Sequence, residues 1–267
     1  MKIDIAGILV DNLTYNQTIE AILQICRSAK SEYIVTAYSE QIVFALEDNK
    51  YKDVLNNAAL SLPDGIGILW AAKYLSRPGI YWSFVQTLFE IILNPKSIRS
   101  IIPEQVTGRY LVYDLVKLAN ENNFSLALVG GEDNVAVQTA YELKKSHPNL
   151  RINLALSGRP FDAQTVHEIA DSNSDILLVA YSPPKQEMWI AENLQNLNVK
   201  LAIGLGGTFD YIAKKRPAAP KFVHYMGLEW LWRLITQPYR IKRIWNAVPV
   251  FVFKILMYKL HASRSKN

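Results

Sequence analysis

The chain has 267 residues, half of them apolar and a fifth charged, enough for one large domain, or a domain with an appendage, around a sizeable core. That balance excludes a disordered chain, and the lone cysteine, Cys26, excludes an internal disulfide and a cysteine-rich zinc site and fits a reducing compartment. The net charge of +5 hides a split: residues 1–213 carry 17 Lys and Arg against 23 Asp and Glu (−6), while residues 214–267 carry 12 against Glu229 alone (+11).

In chain order, MKIDIAGILVDNL reads as a strand or hairpin and not as a secretory leader. Thr14 is placed to cap a helix over residues 15–29, and residues 32–38 read as a strand. Residues 40–59 read as one or two helices, and SLPDGIGILWAAKYL as a turn running into a helix. Residues 109–122 are amphipathic, followed by a buried strand at 124–131 and a helix at 134–146. The rest of the body reads as strand 152–158, helix 163–171, strand 175–181, helix 185–194 and strand 199–207. This rhythm, with continuously apolar strands, predicts an α/β fold: a Rossmann-like, largely parallel sheet with helices on both faces. Residues 1–213 form that core, with an apolar insertion at about 78–102, and residues 214–267 a basic, aromatic, helical C-terminal appendage. WSFVQTLFEIILN and VPVFVFKILMYKL are too short or interrupted for the ~20 apolar residues of a spanning helix.

Ligands of such folds sit at the carboxyl ends of the strands. The loops there are TAYSEQ (36–41), LPDGIG (62–67), VGGEDN (129–134), AYSPPKQE (180–187) and GLGGTFD (204–210). Glycine pairs such as Gly130–Gly131 and Gly206–Gly207 either shape a tight turn or let backbone N–H groups approach a phosphate. Asp64 is either a helix cap or a general base awaiting a substrate hydroxyl. Gln186 has an amide that both donates and accepts, as a sugar or base requires. The four histidines have no metal-ligand spacing and there is no DxD pair, so no metal site is expected.

DGIGILWAAK, PEQVTG, LALVGGEDNVA, DILLVAYSPPKQEMWIAEN, AIGLGGTFDYIAKKRPAAP and GLEWLWRL run in the order seen in the bacterial WecG/TagA/CpsF glycosyltransferases, which the chain resembles over about residues 3–245. The resemblance implies an inverting enzyme without cofactor or metal. It would move a hexose or N-acetylhexosamine from a UDP-sugar to a polyprenyl-diphosphate-linked sugar at the inner face of the membrane, for surface polysaccharide or teichoic acid. By the same resemblance Asp64 matches the base, and Thr36 the threonine beside it. Gln186, Gly206, Gly207, Thr208, Phe209 and Asp210, with Gly130 and Gly131, match the donor-binding positions.

Three features depart from the family pattern. Tyr38 stands where an asparagine is usual, Gln105 where an arginine is usual, and the insertion at about 78–102 is extra. Arg109 is a candidate substitute for the missing arginine. The insertion fits a helix on a membrane, a cover over the active site, or added core packing.

The tail GLEWLWRLITQPYRIKRIW suits an acceptor diphosphate and an anionic membrane surface, with Arg233, Arg240 and Arg243 as the candidate ligands. A nucleic acid would also suit basic and aromatic residues, but the apolar spacing and the acidic body argue against one. Two readings stay open beside the enzyme: a catalytically silent nucleotide-sugar-binding relative, and self-association.

Overall fold

The computed structural model describes residues 1–158, 163–217, 220, 223 and 229–264, without the side chains of Glu229, Arg233 and Arg240. Six parallel strands form the central sheet, in the order β4-β3-β8-β7-β5-β6. They are β3 (Glu32–Ala37), β4 (Leu60–Pro63), β5 (Ser125–Gly130), β6 (Arg151–Leu156), β7 (Ile176–Ala180) and β8 (Leu201–Gly204). A separate antiparallel hairpin, β1 (Lys2–Ile5) and β2 (Ile8–Asp11), precedes them.

The inner strands are buried on both faces, which is why they read as unbroken apolar runs. Their side chains still alternate. Ala127, Val129, Leu177 and Val179 enter one apolar cluster, whereas Leu126, Leu128, Ile176 and Leu178 enter the other. The first cluster is closed by α2 (Ser39–Ala45), α3 (Asn49–Asn56), α4 (Ile66–Ser76) and α9 (Lys185–Asn193). The second is closed by α1 (Tyr15–Arg27), α6 (Gly108–Glu121), α7 (Val135–Ser146) and α10 (Thr208–Ile212). Thr14 does cap α1, in a reciprocal capping box with Gln17.

One strand was hidden in the sequence. LSLP is β4, where the residues alone suggested a turn. Four residues ending in proline carry little strand signal, but proline is tolerated on an edge because no ladder donor is needed there. The edge is covered: the Asp11 carboxylate accepts from Ser61 N–H at 2.8 Å, and Pro63 C=O accepts from Val106 N–H at 2.8 Å.

The segment 78–102, expected to be an insertion, contains α5 (Tyr81–Leu93), whose inner face packs on α4. Trp70 Nε1 donates to Thr87 Oγ1 at 3.1 Å, and Phe84 meets Trp70 and Tyr74 edge-on. Between α7 and β7 lies α8 (Ala163–Asp171). The C-terminal region holds α11 (Glu229–Thr236), α12 (Ile241–Trp245), a π-helical turn at Asn246–Val250 and α13 (Phe251–Arg264). Phe251 and Ile255 of α13 are fully enclosed in the first apolar cluster. No helix among the described residues is long and apolar enough to cross a membrane.

Candidate active site

A cavity of about 880 Å³ opens at the carboxyl ends of β3, β4, β7 and β8. Parallel strands place their outgoing loops at this one end, so residues far apart in sequence converge there. Thr36 and Tyr38 come from the end of β3, Asp64 from β4, Ser182 and Gln186 from β7, and Gly206, Gly207 and Thr208 from β8. Apolar side chains complete the lining: Leu88, Ile91 and Ile92 of α5 and Ile244, Val248 and Phe251 of the C-terminal region. One cavity thus brings polar strand-end loops together with apolar side chains.

Asp64 does not cap its own helix. The N-cap of α4 is Gly65, in a left-handed conformation with φ 103°. Asp64 N–H donates to Ala37 C=O at 2.8 Å, which ties the loop to the end of β3. Its Oδ2 accepts from Gly108 N–H, at the first turn of α6, at 3.3 Å. The positive end of α6 therefore faces the carboxylate. Thr36 is packed behind: a Cβ on Gly108 would lie in ordinary van der Waals contact, 3.4 Å from Thr36 Cγ2.

Gln186 is 2 % exposed and links two loops. Its Oε1 accepts from Gly206 N–H at 3.1 Å, and its Nε2 donates to Glu187 Oε1 at 2.6 Å. The fully enclosed Glu187 also accepts from Gln41 Nε2 at 2.8 Å and from Tyr51 Oη at 3.2 Å. Burial pushes its carboxyl up from 4.5 to about 7, against the pull of these donors. A buried acid thus holds the amide that holds the glycine loop. Gly204 leaves room for this: a Cβ there would sit 2.6 Å from Gln186 Nε2.

The other expected donor positions divide. Gly206, Gly207 and Thr208 line the cavity, and the Thr208 hydroxyl donates to Leu205 C=O at 2.6 Å. Phe209 lies in the core, and Asp210 pairs with Arg216 at 3.2 Å. Gly130 and Gly131 are not among the cavity's described lining residues. Packing accounts for them: an added Cβ would fall 2.6 Å from Ala180 C=O oxygen and 2.7 Å from Val135, respectively, and both have positive φ.

Arg243 lines the cavity and is anchored by Glu40, at 2.9 Å from Nη2 to Oε2, and by Tyr38 Oη at 3.2 Å. The sequence places Glu40 in the candidate loop TAYSEQ but gives no sign of its pairing, because the partner lies 203 residues away. Tyr38, the departure from the family asparagine, is thereby part of the seam between core and tail. Gln105 and Arg109 both line the cavity; Gln105 Nε2 donates to Thr107 Oγ1 at 3.2 Å, and the Arg109 guanidinium lies 5.4 Å from the Tyr211 ring centroid. The side chains of Arg233 and Arg240 fall outside the described ones. Among the described residues no group of three or more His, Cys, Asp or Glu is arranged to hold a metal ion.

Fold and cavity define a Rossmann-like α/β protein with a strand-end cavity lined by both polar and apolar residues. The chain belongs to the glycosyl transferase WecG/TagA/CpsF family, whose model matches residues 3–82 and 91–265. Among curated proteins it is similar to the N-acetylglucosaminyldiphosphoundecaprenol N-acetyl-beta-D-mannosaminyltransferases of Staphylococcus aureus strains MRSA252 and NCTC 8325. Each is 25 % identical, over 99 % of this chain and 96 % of the relative.

Proposed function

We propose that the protein transfers a hexose or N-acetylhexosamine, with inversion and without a metal ion, from a UDP-sugar to a polyprenyl-diphosphate-linked sugar. The observation that carries this reading is a cavity lined both by Asp64 and the Gly206–Gly207 loop and by apolar side chains of α5 and the C-terminal helices. A lipid-linked sugar offers the same two kinds of surface. The S. aureus relatives, whose names specify an N-acetylglucosaminyl-diphosphoundecaprenol acceptor, support the same class of acceptor.

In this mechanism Asp64 takes the proton of the acceptor hydroxyl as its oxygen attacks the anomeric carbon. The bond to the UDP β-phosphate oxygen breaks on the opposite side, and UDP leaves with the electron pair. Thr36 stands beside the base. The Gly206–Gly207 loop, with Thr208, receives the donor through the Gly207 N–H, while Gln186 holds the Gly206 N–H and so positions that loop; Gly130, Gly131, Phe209 and Asp210 support the same side from behind. Guanidinium groups take the place of a metal at the diphosphates: Arg109 and Arg243 line the cavity, and Arg233 and Arg240 belong to the same tail. Glu40 and Tyr38 engage Nε and Nη2 of Arg243, so we assign its Nη1 edge to phosphate. Residues 214–267 form the appendage that meets the anionic inner face of the membrane, and the product feeds a bacterial surface polysaccharide or teichoic acid.

The test is UDP release from a panel of UDP-sugars in EDTA, with and without polyprenyl-diphosphate-GlcNAc or -glucose. Acceptor-dependent release with one donor supports the reaction and names the sugar. UDP binding without release from any donor favours the catalytically silent relative instead.

A further inference from the structure

α5 is apolar on both sides, and only one side is packed. Ser83, Phe84, Thr87 and Ile91 turn inward to α4. Tyr81, Trp82, Val85, Phe89, Ile92 and Leu93 form one stripe, about 120° wide at helical spacing, on the other side. They are exposed, Trp82 at 79 % and Leu93 at 78 %. The only carboxylate of the helix is kept off this stripe: Glu90 pairs with Arg77 at 2.9 Å and accepts from Ser97 Oγ at 2.8 Å. Exposed Lys96 and Arg99 follow the helix directly. The family model skips residues 83–90, so the middle of this helix belongs to the present chain and not to the shared pattern.

We propose that the outer stripe of α5 docks at the headgroup–acyl boundary of an anionic bilayer, and that α5 is the wall along which a lipid-linked acceptor enters the cavity. Three observations select a bilayer as the occupant. The stripe is uncharged with Tyr81 and Trp82 at one end and cations at the other, the arrangement an interface favours. Lys259 of α13 donates to Tyr74 C=O at 2.6 Å and to Arg77 C=O at 2.7 Å, which fastens the +11 tail beside the start of α5. Ile92 belongs both to the exposed stripe and to the cavity lining with Leu88 and Ile91, so the stripe adjoins the cavity. The docking stands on these features alone; the entry route rests on the proposed reaction.

The experiment uses the full chain and the triple variant Trp82→Ser/Phe89→Ser/Leu93→Ser, none of which lines the cavity. Co-sedimentation is measured with phosphatidylglycerol–phosphatidylcholine vesicles, and transfer is measured with a long-chain acceptor in vesicles and a short-chain soluble one. The variant is expected to lose about tenfold or more in vesicle partition, since three exposed apolar side chains that would enter the bilayer are removed. It should lose transfer to the long-chain acceptor and keep transfer to the short one. A dye on Phe89→Cys should shift to the blue on vesicles, a readout that does not depend on how the triple variant folds. Wild-type partition by the variant, with no shift of the dye, overturns the docking. A change from dimer to monomer with vesicle binding intact assigns the stripe to a second copy. Docking without any transfer by the wild type sinks the reaction and leaves the surface standing.

Discussion

Arg243 holds Glu40 through both Nε and Nη2, the shortest contact being 2.9 Å, and so fastens the basic tail to the acidic body. Burial opposes the guanidinium charge, but the bonds to Glu40 and Tyr38 outweigh it and hold Arg243 above its ordinary value. Glu40 is 3 % exposed, so the contact is enclosed on its carboxylate side. Arg243→Ala is expected to destabilise the protein by roughly 1–3 kcal/mol, discounted from a fully buried pair because the arginine is partly solvated. Urea unfolding reads this directly, and an unshifted midpoint would refute the anchoring role. Arg243→Lys should fall between, because one ammonium cannot reproduce the fork.

Asp64→Asn should lower turnover by about 10²–10⁴-fold while UDP-sugar affinity stays near wild type. The amide still accepts from Gly108 N–H, so the fold is preserved. Calorimetric donor binding together with UDP release separates the two effects, and normal turnover would remove Asp64 from the mechanism.

Glu187 gives the protein a pH dependence of stability. Its folded value is raised to about 7, so between 4.5 and 7 the native state binds the proton more tightly than the unfolded chain. Its contribution is complete below the unfolded value and is lost as pH rises through about 7. Relative to Glu187→Gln, the wild type should lose roughly 2–3 kcal/mol between pH 5 and 8, at about 1.4 kcal/mol per unit. Parallel stability curves for the two proteins would contradict this.

Gly204→Ala tests the loop support without touching the cavity chemistry. Its φ is ordinary, so the strain is the Cβ pressed on Gln186. Displacing Gln186 frees the Gly206 N–H, and KM for the donor should rise about tenfold, roughly 1.4 kcal/mol, with kcat less affected. Gln186→Leu should act in the same direction; a KM unchanged in both would detach this network from donor binding.

Removing the tail would remove core as well. Phe251 meets Trp70 with ring centroids 6.2 Å apart and is 1 % exposed. Phe251→Ala should cost about 3–5 kcal/mol, so loss of function on truncation cannot be credited to membrane contact alone. Thermal unfolding measures the cost.

Local pattern determined much of this protein. Unbroken apolar runs gave the inner parallel strands, Thr14 announced the cap of α1, and the charge split marked the tail. The ordered motifs point to the family and, through it, to Asp64. Those signals are local because hydrophobic period, capping and glycine turns act within a few residues. The tertiary structure decided what depends on convergence. It showed LSLP to be an edge strand, since its pairing with β3 and its cover by Asp11 come from elsewhere in the chain. It separated Gly206 and Gly207, on the cavity, from Gly130 and Gly131, set by packing against β7 and α7. It joined Glu187 to Gln41 and Tyr51, and Arg243 to Glu40, across 146, 136 and 203 residues. Electrostatic partners chosen through space leave no periodic trace in a sequence, so only the folded chain reveals which charges are paired and which apolar face, that of α5, is left uncovered.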